Sequence, residues 1–292
     1  MLRPFVTIAL ALAFAAPVTA QVGPVAVQPE VTPFKLGKLD LLALRDAAQN
    51  APNDNKIFGV DQSPAAVDAV LAAAGAPTGQ IALSVNVLLV RTGGHLVLID
   101  TGYGAPRGIF AASLAKAGIA PAAITDILIT HGHGDHVGGL ASAEGASNFP
   151  KAVIHVAAKE WEAIKAAPAN ARLVAAIGAQ VQAFEPGATV APGITAVAID
   201  GHTPGHSGYR ISSAGKSLLA IGDSAHSYVI SLAKPGWAMG FDRDRALGAA
   251  SRTAMLANAA KSGELLFSPH FPYPGLGRAA VKGDGFVWVP VK

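Results

Sequence analysis

Four side chains able to bind a metal fall within six residues, His131-Gly132-His133-Gly134-Asp135-His136, directly behind a short apolar run at residues 124–130. A nearly continuous run of that length predicts a strand buried on both faces. A polar cluster that begins where such a strand ends predicts a site at the edge of a sheet. Imidazole and carboxylate suit Zn2+ and similar divalent cations. The alternation lets His131 and His133 point toward one centre while Asp135 and His136 reach another, and Gly132 and Gly134 permit the tight backbone path. A solvated polar loop is the competing reading, and the specific spacing behind a strand disfavours it.

The chain has no Cys among its 292 residues, which excludes disulfides, thiolate chemistry and Cys-based zinc sites. Any metal must be held by His and carboxylate. Two cations close together repel unless anionic ligands lie between them, so a further carboxylate and more imidazoles are expected from distant loops. Three positions offer them, each just beyond an expected strand: His206 in Gly201-His202-Thr203-Pro204-Gly205-His206, Asp223 in Ile221-Gly222-Asp223-Ser224, and His270 in Ser268-Pro269-His270. His202 and His226 stay outside this ligand set, as residues that orient a ligand, contact substrate or sit hydrogen-bonded in a loop. Tyr209, Tyr228, Tyr273 and Trp237 fit a pocket wall or the core equally well.

Together these motifs, from Asp100-Thr101-Gly102 through HxHxDH to the TPGH, GD and final His segments, resemble the metallo-β-lactamase superfamily. Val137-Gly138-Gly139-Leu140, Phe241-Asp242 leading into a helix with Arg252, and the run from His270 to Gly277 resemble its methyl parathion hydrolase and quorum-quenching lactonase branch. Arg278 departs from that branch, where another His often follows the Pro-Gly-x-Gly turn. The resemblance implies an α/β fold, an αββα sandwich of two mixed β-sheets flanked by helices. It also implies ligand roles: His131, His133 and His206 on one metal, Asp135, His136 and His270 on the other, and Asp223 between them. Asp135 and Asp223 are the residues expected to serve catalysis directly, Asp135 by orienting the attacking hydroxide.

The functional expectation is a metal-dependent hydrolase in which hydroxide bridging two divalent ions cleaves a lactone, carboxylic ester or organophosphate triester. Zn2+ is the default on ligand type, and Mn2+, Co2+ or Fe2+ suit the same donors. A β-lactamase or a thioester hydrolase of the same fold is the alternative enzyme, and a metal-binding interaction module the alternative outside catalysis. A small-molecule ester-like substrate is the expected partner, with a homodimer compatible with the sequence. The formal charge of +3 shows no basic run suited to nucleic acid.

Residues 1–20 carry Arg3, an apolar run, Pro17 and the small-residue end Val18-Thr19-Ala20, the parts of a secretory signal peptide, so the mature protein is expected in the periplasm or secreted, with no membrane attachment after cleavage. Residues 21–33 read as an extended arm, and residues 34–292 as the hydrolase domain. Within it, residues 34–44 predict a hairpin around Gly37-Lys38, residues 50–55 a loop, and Ser63-Pro64 a helix start. Strands are expected at residues 85–90, 96–99, 153–156, 194–199, 208–212, 217–221 and 265–267, and helices at 109–117, 158–166 and 243–261.

Overall fold

The computed structural model describes residues 22–291. Eight strands form a first sheet: β1 (Gly23–Val25), β2 (Val31–Leu36), β3 (Leu39–Pro52), β4 (Gln80–Thr92), β5 (His95–Ile99), β6 (Asp126–Ile129), β7 (Val153–Ala157) and β8 (Val181–Phe184). Seven form a second: β9 (Thr189–Ala191), β10 (Ile194–Ala198), β11 (Ser207–Ser213), β12 (Lys216–Ala220), β13 (Leu265–Phe267), β14 (Leu276–Lys282) and β15 (Gly285–Pro290). Both sheets are mixed. In the first, β3, β4 and β5 pair antiparallel while β5, β6, β7 and β8 run parallel. In the second, β12 and β13 are the parallel pair in an otherwise antiparallel set.

Helices flank the sheets: α1 (Pro64–Ala73), α2 (Phe110–Lys116), α3 (Gly134–Val137), α4 (Ala158–Ala166), α5 (Ala171–Ile177), α6 (Ile230–Ala233) and α7 (Arg245–Ser262), with α3 at one edge of the sandwich and α2, α4, α5 and α7 on the outer faces. Between the sheets, Leu88, Val90, Ile99 and Leu128 meet Ile194, Tyr209, Ile211 and Phe267, all buried. Outside the first sheet, Leu98, Ile127 and Ile154 pack on Phe110 and Leu114 of α2, Ile164 of α4 and Ile177 of α5. Outside the second, Leu219 and Leu266 pack on Met255, Leu256 and Ala259 of α7. Each such side chain taken fully out of water contributes about 1.5–3 kcal/mol. The layering is therefore helix, sheet, sheet, helix, as expected.

The elements follow local chemistry. The Ser63 side chain accepts the Ala66 N–H, and Pro64 occupies the first turn of α1, where its missing N–H costs nothing. The hairpin predicted around Gly37-Lys38 pairs Leu36 with Leu39. The second sheet extends past the predicted strands: β14 and β15 pair antiparallel across Lys282 to Gly285, and because β15 is apolar throughout, no alternation of polarity marks its buried Trp288 from its exposed Val287 and Val289.

Residues expected as an arm are part of the first sheet: Gly23–Val25 pairs with Asn50 to Ala48 of β3, and β2 begins at Val31. Backbone pairing, to which side-chain periodicity is blind, recruits this Pro- and Val-rich stretch. For the same reason β3 continues through Pro52 into the segment read as a loop. The signal-peptide reading falls on residues 1–20, outside those described. No helix among the described residues is long and apolar enough to cross a membrane.

Candidate metal centre

Every strand that delivers a site residue ends at the same edge of the sandwich. His131 follows β6, His202 follows β10, Asp223 follows β12 and His270 follows β13, while Asp135 and His136 lie in α3. His131 Nε2 and His133 Nδ1 are 3.0 Å apart, and His202 Nε2 lies 3.2 Å from the first and 3.1 Å from the second. Ligands 2.0–2.1 Å from one tetrahedral zinc would stand roughly 3.3 Å apart. Asp135, His136 and His270 form a second group of donors.

Asp223 joins the two. Its Oδ2 lies 3.6 Å from His131 Nε2 and 3.4 Å from His202 Nε2. Its Oδ1 lies 3.1 Å from His136 Nε2 and 3.0 Å from His270 Nε2. Asp135 closes the second group, with Oδ1 3.8 Å from His136 Nε2 and Oδ2 3.6 Å from His270 Nε2.

The far nitrogen of most rings is tied down, which fixes which nitrogen faces the centre. His136 Nδ1 bonds Asp100 Oδ2 at 2.8 Å, His202 Nδ1 bonds Asp242 Oδ1 at 3.1 Å, and His270 Nδ1 donates to the Ser84 carbonyl at 2.8 Å. Asp100 also accepts the Thr130 N–H and hydroxyl, both at 2.8 Å, and sits at φ +61. That conformation is unfavourable for a residue other than Gly, as backbone held by a functional site often is. Behind Asp242 stands Arg252, fully buried in α7, whose guanidinium reaches Asp242 Oδ2 at 3.3 Å and the carbonyls of Pro235 and Trp237.

The donor set fits metal ions. His136 Nε2 and Asp223 Oδ1 are buried and form no hydrogen bond, and both ring nitrogens of His226 are likewise without one. Buried nitrogen and oxygen atoms that converge without hydrogen bonds are the arrangement a cation satisfies. The charges agree. Burial, reinforced by neighbouring His136, pushes His131 well below its ordinary value, and burial with His202 lowers His133, so both are neutral ligand forms. Burial opposes a charge on His136 and His270, yet Asp223 with Asp100 and Asp135 raises the first well above its ordinary value, and Asp223 and Asp135 raise the second. Burial would lift the Asp223 carboxyl, but His136, His270, His131 and His226 hold it well below the usual range. Three carboxylates, Asp100, Asp135 and Asp223, thus draw positive charge into the site.

Of the seven expected ligands, the structure brings together His131, His133, Asp135, His136, Asp223 and His270, and it leaves His206 outside both groups. His206 Nδ1 donates to the Ile199 carbonyl at 2.9 Å, and its Nε2 accepts the Asp223 N–H at 2.9 Å. Burial pushes its pKa down to about 3, as this accepting role requires. His202 stands with His131, His133 and Asp223 where His206 was expected. The two differ because His206 immediately precedes β11 and points inward, whereas His202 lies in the loop after β10. His226 also faces the centre, stacked on His270 at 5.5 Å between ring centroids with Nε2 3.2 Å from Asp223 Oδ2.

The aromatic candidates fall elsewhere. Tyr209 is core and donates to the Ile129 carbonyl, Tyr273 donates to the Ala43 carbonyl under the Arg45 guanidinium, and Tyr228 and Trp237 pack around α1. Tyr103, unread in the sequence, lies nearer the site: burial together with Asp135 raises its phenol to about 12.

A family model described as the metallo-beta-lactamase superfamily matches residues 81–270. AidC, a dizinc quorum-quenching lactonase solved in complex with a product, aligns with a TM-score of 0.84 at 30% identity over 90% of this chain and 98% of that one. The hydrolase AbOPH, of the β-lactamase superfamily, aligns with a TM-score of 0.81 at 27% identity over 94% of this chain and 99% of that one. A probable metallo-hydrolase of Mycobacterium tuberculosis is 28% identical over 184 residues. That match covers 49% of this chain and 57% of the mycobacterial protein, so the chain spans little more than half of that relative's length.

Proposed function

We propose, from the premise that this chain belongs to the metallo-β-lactamase superfamily and is a metallo-hydrolase, that it holds two divalent cations and hydrolyses a lactone. The observation that carries the reading is Asp223, whose two oxygens face two separate groups of donors. His131, His133, His202 and Asp223 Oδ2 would hold one ion, and Asp135, His136, His270 and Asp223 Oδ1 the other. Zn2+ is the default for these ligands. Two such ions supply a water acidified to hydroxide near neutral pH and polarisation of the carbonyl under attack.

The chain's own groups do the rest. Asp223 places negative charge between the two groups and offsets the repulsion between bound cations. Asp135 is the less buried of the two, with its side chain 19% exposed against 5% for Asp223, so it is the carboxylate that substrate and water reach. Its oxygens are placed to orient the attacking water, hold its proton and return that proton to the alkoxide released when the ring opens. No Ser or Cys nucleophile takes part.

Lactone opening is favoured among the candidate chemistries by the similarity to AidC, the neighbour described as a dizinc lactonase. Carboxylic esters and phosphotriesters present an electrophile to the same groups, and their rates depend on pocket shape. Export, to the periplasm or out of the cell, belongs to the same proposal and rests on the sequence of residues 1–20. The test is hydrolysis of an N-acyl lactone, an aryl ester, a phosphotriester and a β-lactam before and after chelation. The reading expects the lactone to be the best substrate, with turnover lost to chelator and restored by Zn2+. Turnover indifferent to chelation contradicts it.

A further inference from the structure

One buried carboxylate outside the metal centre ties together the two loops that supply the three-imidazole group. Glu160 lies in the first turn of α4 and is 2% exposed. Its Oε1 accepts the Gly132 N–H at 2.9 Å, between His131 and His133. Its Oε2 accepts the Thr203 hydroxyl at 2.8 Å and the Gly205 N–H at 2.9 Å, in the loop that carries His202. All three bonds run toward the carboxylate, and no basic side chain among the described residues pairs with it.

The loops are shaped for this approach. A Cβ on Gly132 would stand 2.5 Å from Ile164 Cγ1, and one on Gly205 would stand 2.4 Å from the Glu160 backbone nitrogen. Glycine at both places lets α4 come close enough for one side chain to reach each loop. His131 and His202 are 71 residues apart in sequence and their loops follow strands of different sheets, so nothing local in sequence sets the separation of the loops. Yet His131, His133 and His202 converge to within 3.2 Å.

We infer that Glu160 is a positioning residue for this half of the metal centre: by bridging Gly132 to Thr203 and Gly205 it fixes the distance between the two loops and so the affinity of the three-imidazole group for its ion. The inference rests on the two-ion reading above. The second group should not depend on Glu160, since Asp135 and His136 are held by α3 and Asp100, and His270 by Ser84 of β4.

The test is elemental analysis of full-length protein dialysed against graded chelator. Glu160→Gln keeps the size of the side chain but replaces one acceptor oxygen with a donor, so either the Gly132 or the Gly205 N–H must lose its acceptor. It is expected to lose one ion at a chelator concentration about 10–100-fold below that of the wild type, while the second ion follows the wild-type curve. Thr203→Val removes a single donor and should shift the same ion in the same direction by less; it carries the test alone if Glu160→Gln fails to fold. Unchanged curves in the variants that fold, or loss of both ions in parallel, overturn the inference and leave the two-ion reading standing. A wild-type protein that holds fewer than two ions overturns both.

Discussion

His206 Nε2 accepts the backbone N–H of Asp223 at 2.9 Å, so the second His of the GHTPGH segment shapes the loop of Asp223 while standing outside the groups of donors. Its other nitrogen, bonded to the Ile199 carbonyl, fixes the ring in the accepting form. A buried N–H deprived of its only acceptor costs about 1–3 kcal/mol. His206→Ala should therefore lower stability by that order while metal content stays near two ions. His202→Ala should lose one ion. Elemental analysis and urea denaturation of the two variants side by side distinguish these outcomes, and the reverse pattern would restore His206 as the ligand.

Arg252 and Asp242 form a buried pair behind His202. Removing one member strands the other's charge, which costs about 3–5 kcal/mol. Arg252→Met should lower the unfolding free energy of the metal-free protein by about that much. A change below 1 kcal/mol would mean that the pair is not what anchors this wall.

Asp46 occupies an irregularity in the β3–β4 pairing, where the register shifts between Arg45 and Ala47. An extra residue there re-aims its side chain, and the buried carboxylate accepts the N–H groups of Tyr103 at 2.7 Å and Phe110 at 2.8 Å. Asp46→Ala should speed hydrogen exchange at these two amides by at least tenfold, with amides in β6 unchanged. Uniform acceleration across the chain would point instead to global destabilisation.

Asp126 links His95 at 2.6 Å and His155 at 3.0 Å, away from the metal centre. Burial raises its carboxyl, but hydrogen bonds from Thr125, His95 and His155 outweigh this and leave it below the usual range. A folded-state value below the unfolded one, near 3.9, contributes stability that is present above that pH and lost as pH falls through the folded value. Asp126→Asn should therefore be less stable than the wild type at pH 6–7. The difference should shrink below pH 4, measured by denaturant melts across that range. A difference that grows with acid would contradict the assignment.

Legibility in the sequence followed the range of the interaction. The HxHxDH run announced itself because its ligands are neighbours behind a strand whose apolar pattern is local. Asp223 and His270 were legible as carboxylate and imidazole at strand ends. The choice between His202 and His206 was not, since both are His in one loop and only the start of β11 turns His206 inward. Glu160 and Asp46 gave no signal: an acidic residue in a short helix, or in a strand next to Arg45, reads as solvated surface until tertiary packing buries it against backbone amides. Strands β1, β8, β9, β14 and β15 lie outside the expected set for a related reason: they are short or lack alternating polarity, and pairing to a neighbour holds them.

The most direct measurement is anomalous diffraction from crystals of the zinc-loaded protein. Two peaks are predicted, one within about 2.0–2.3 Å of His131 Nε2, His133 Nδ1 and His202 Nε2 and the other at that range from His136 Nε2 and His270 Nε2, each with an oxygen of Asp223 beside it. A single peak, or density bonded to His206 Nε2, would contradict the account.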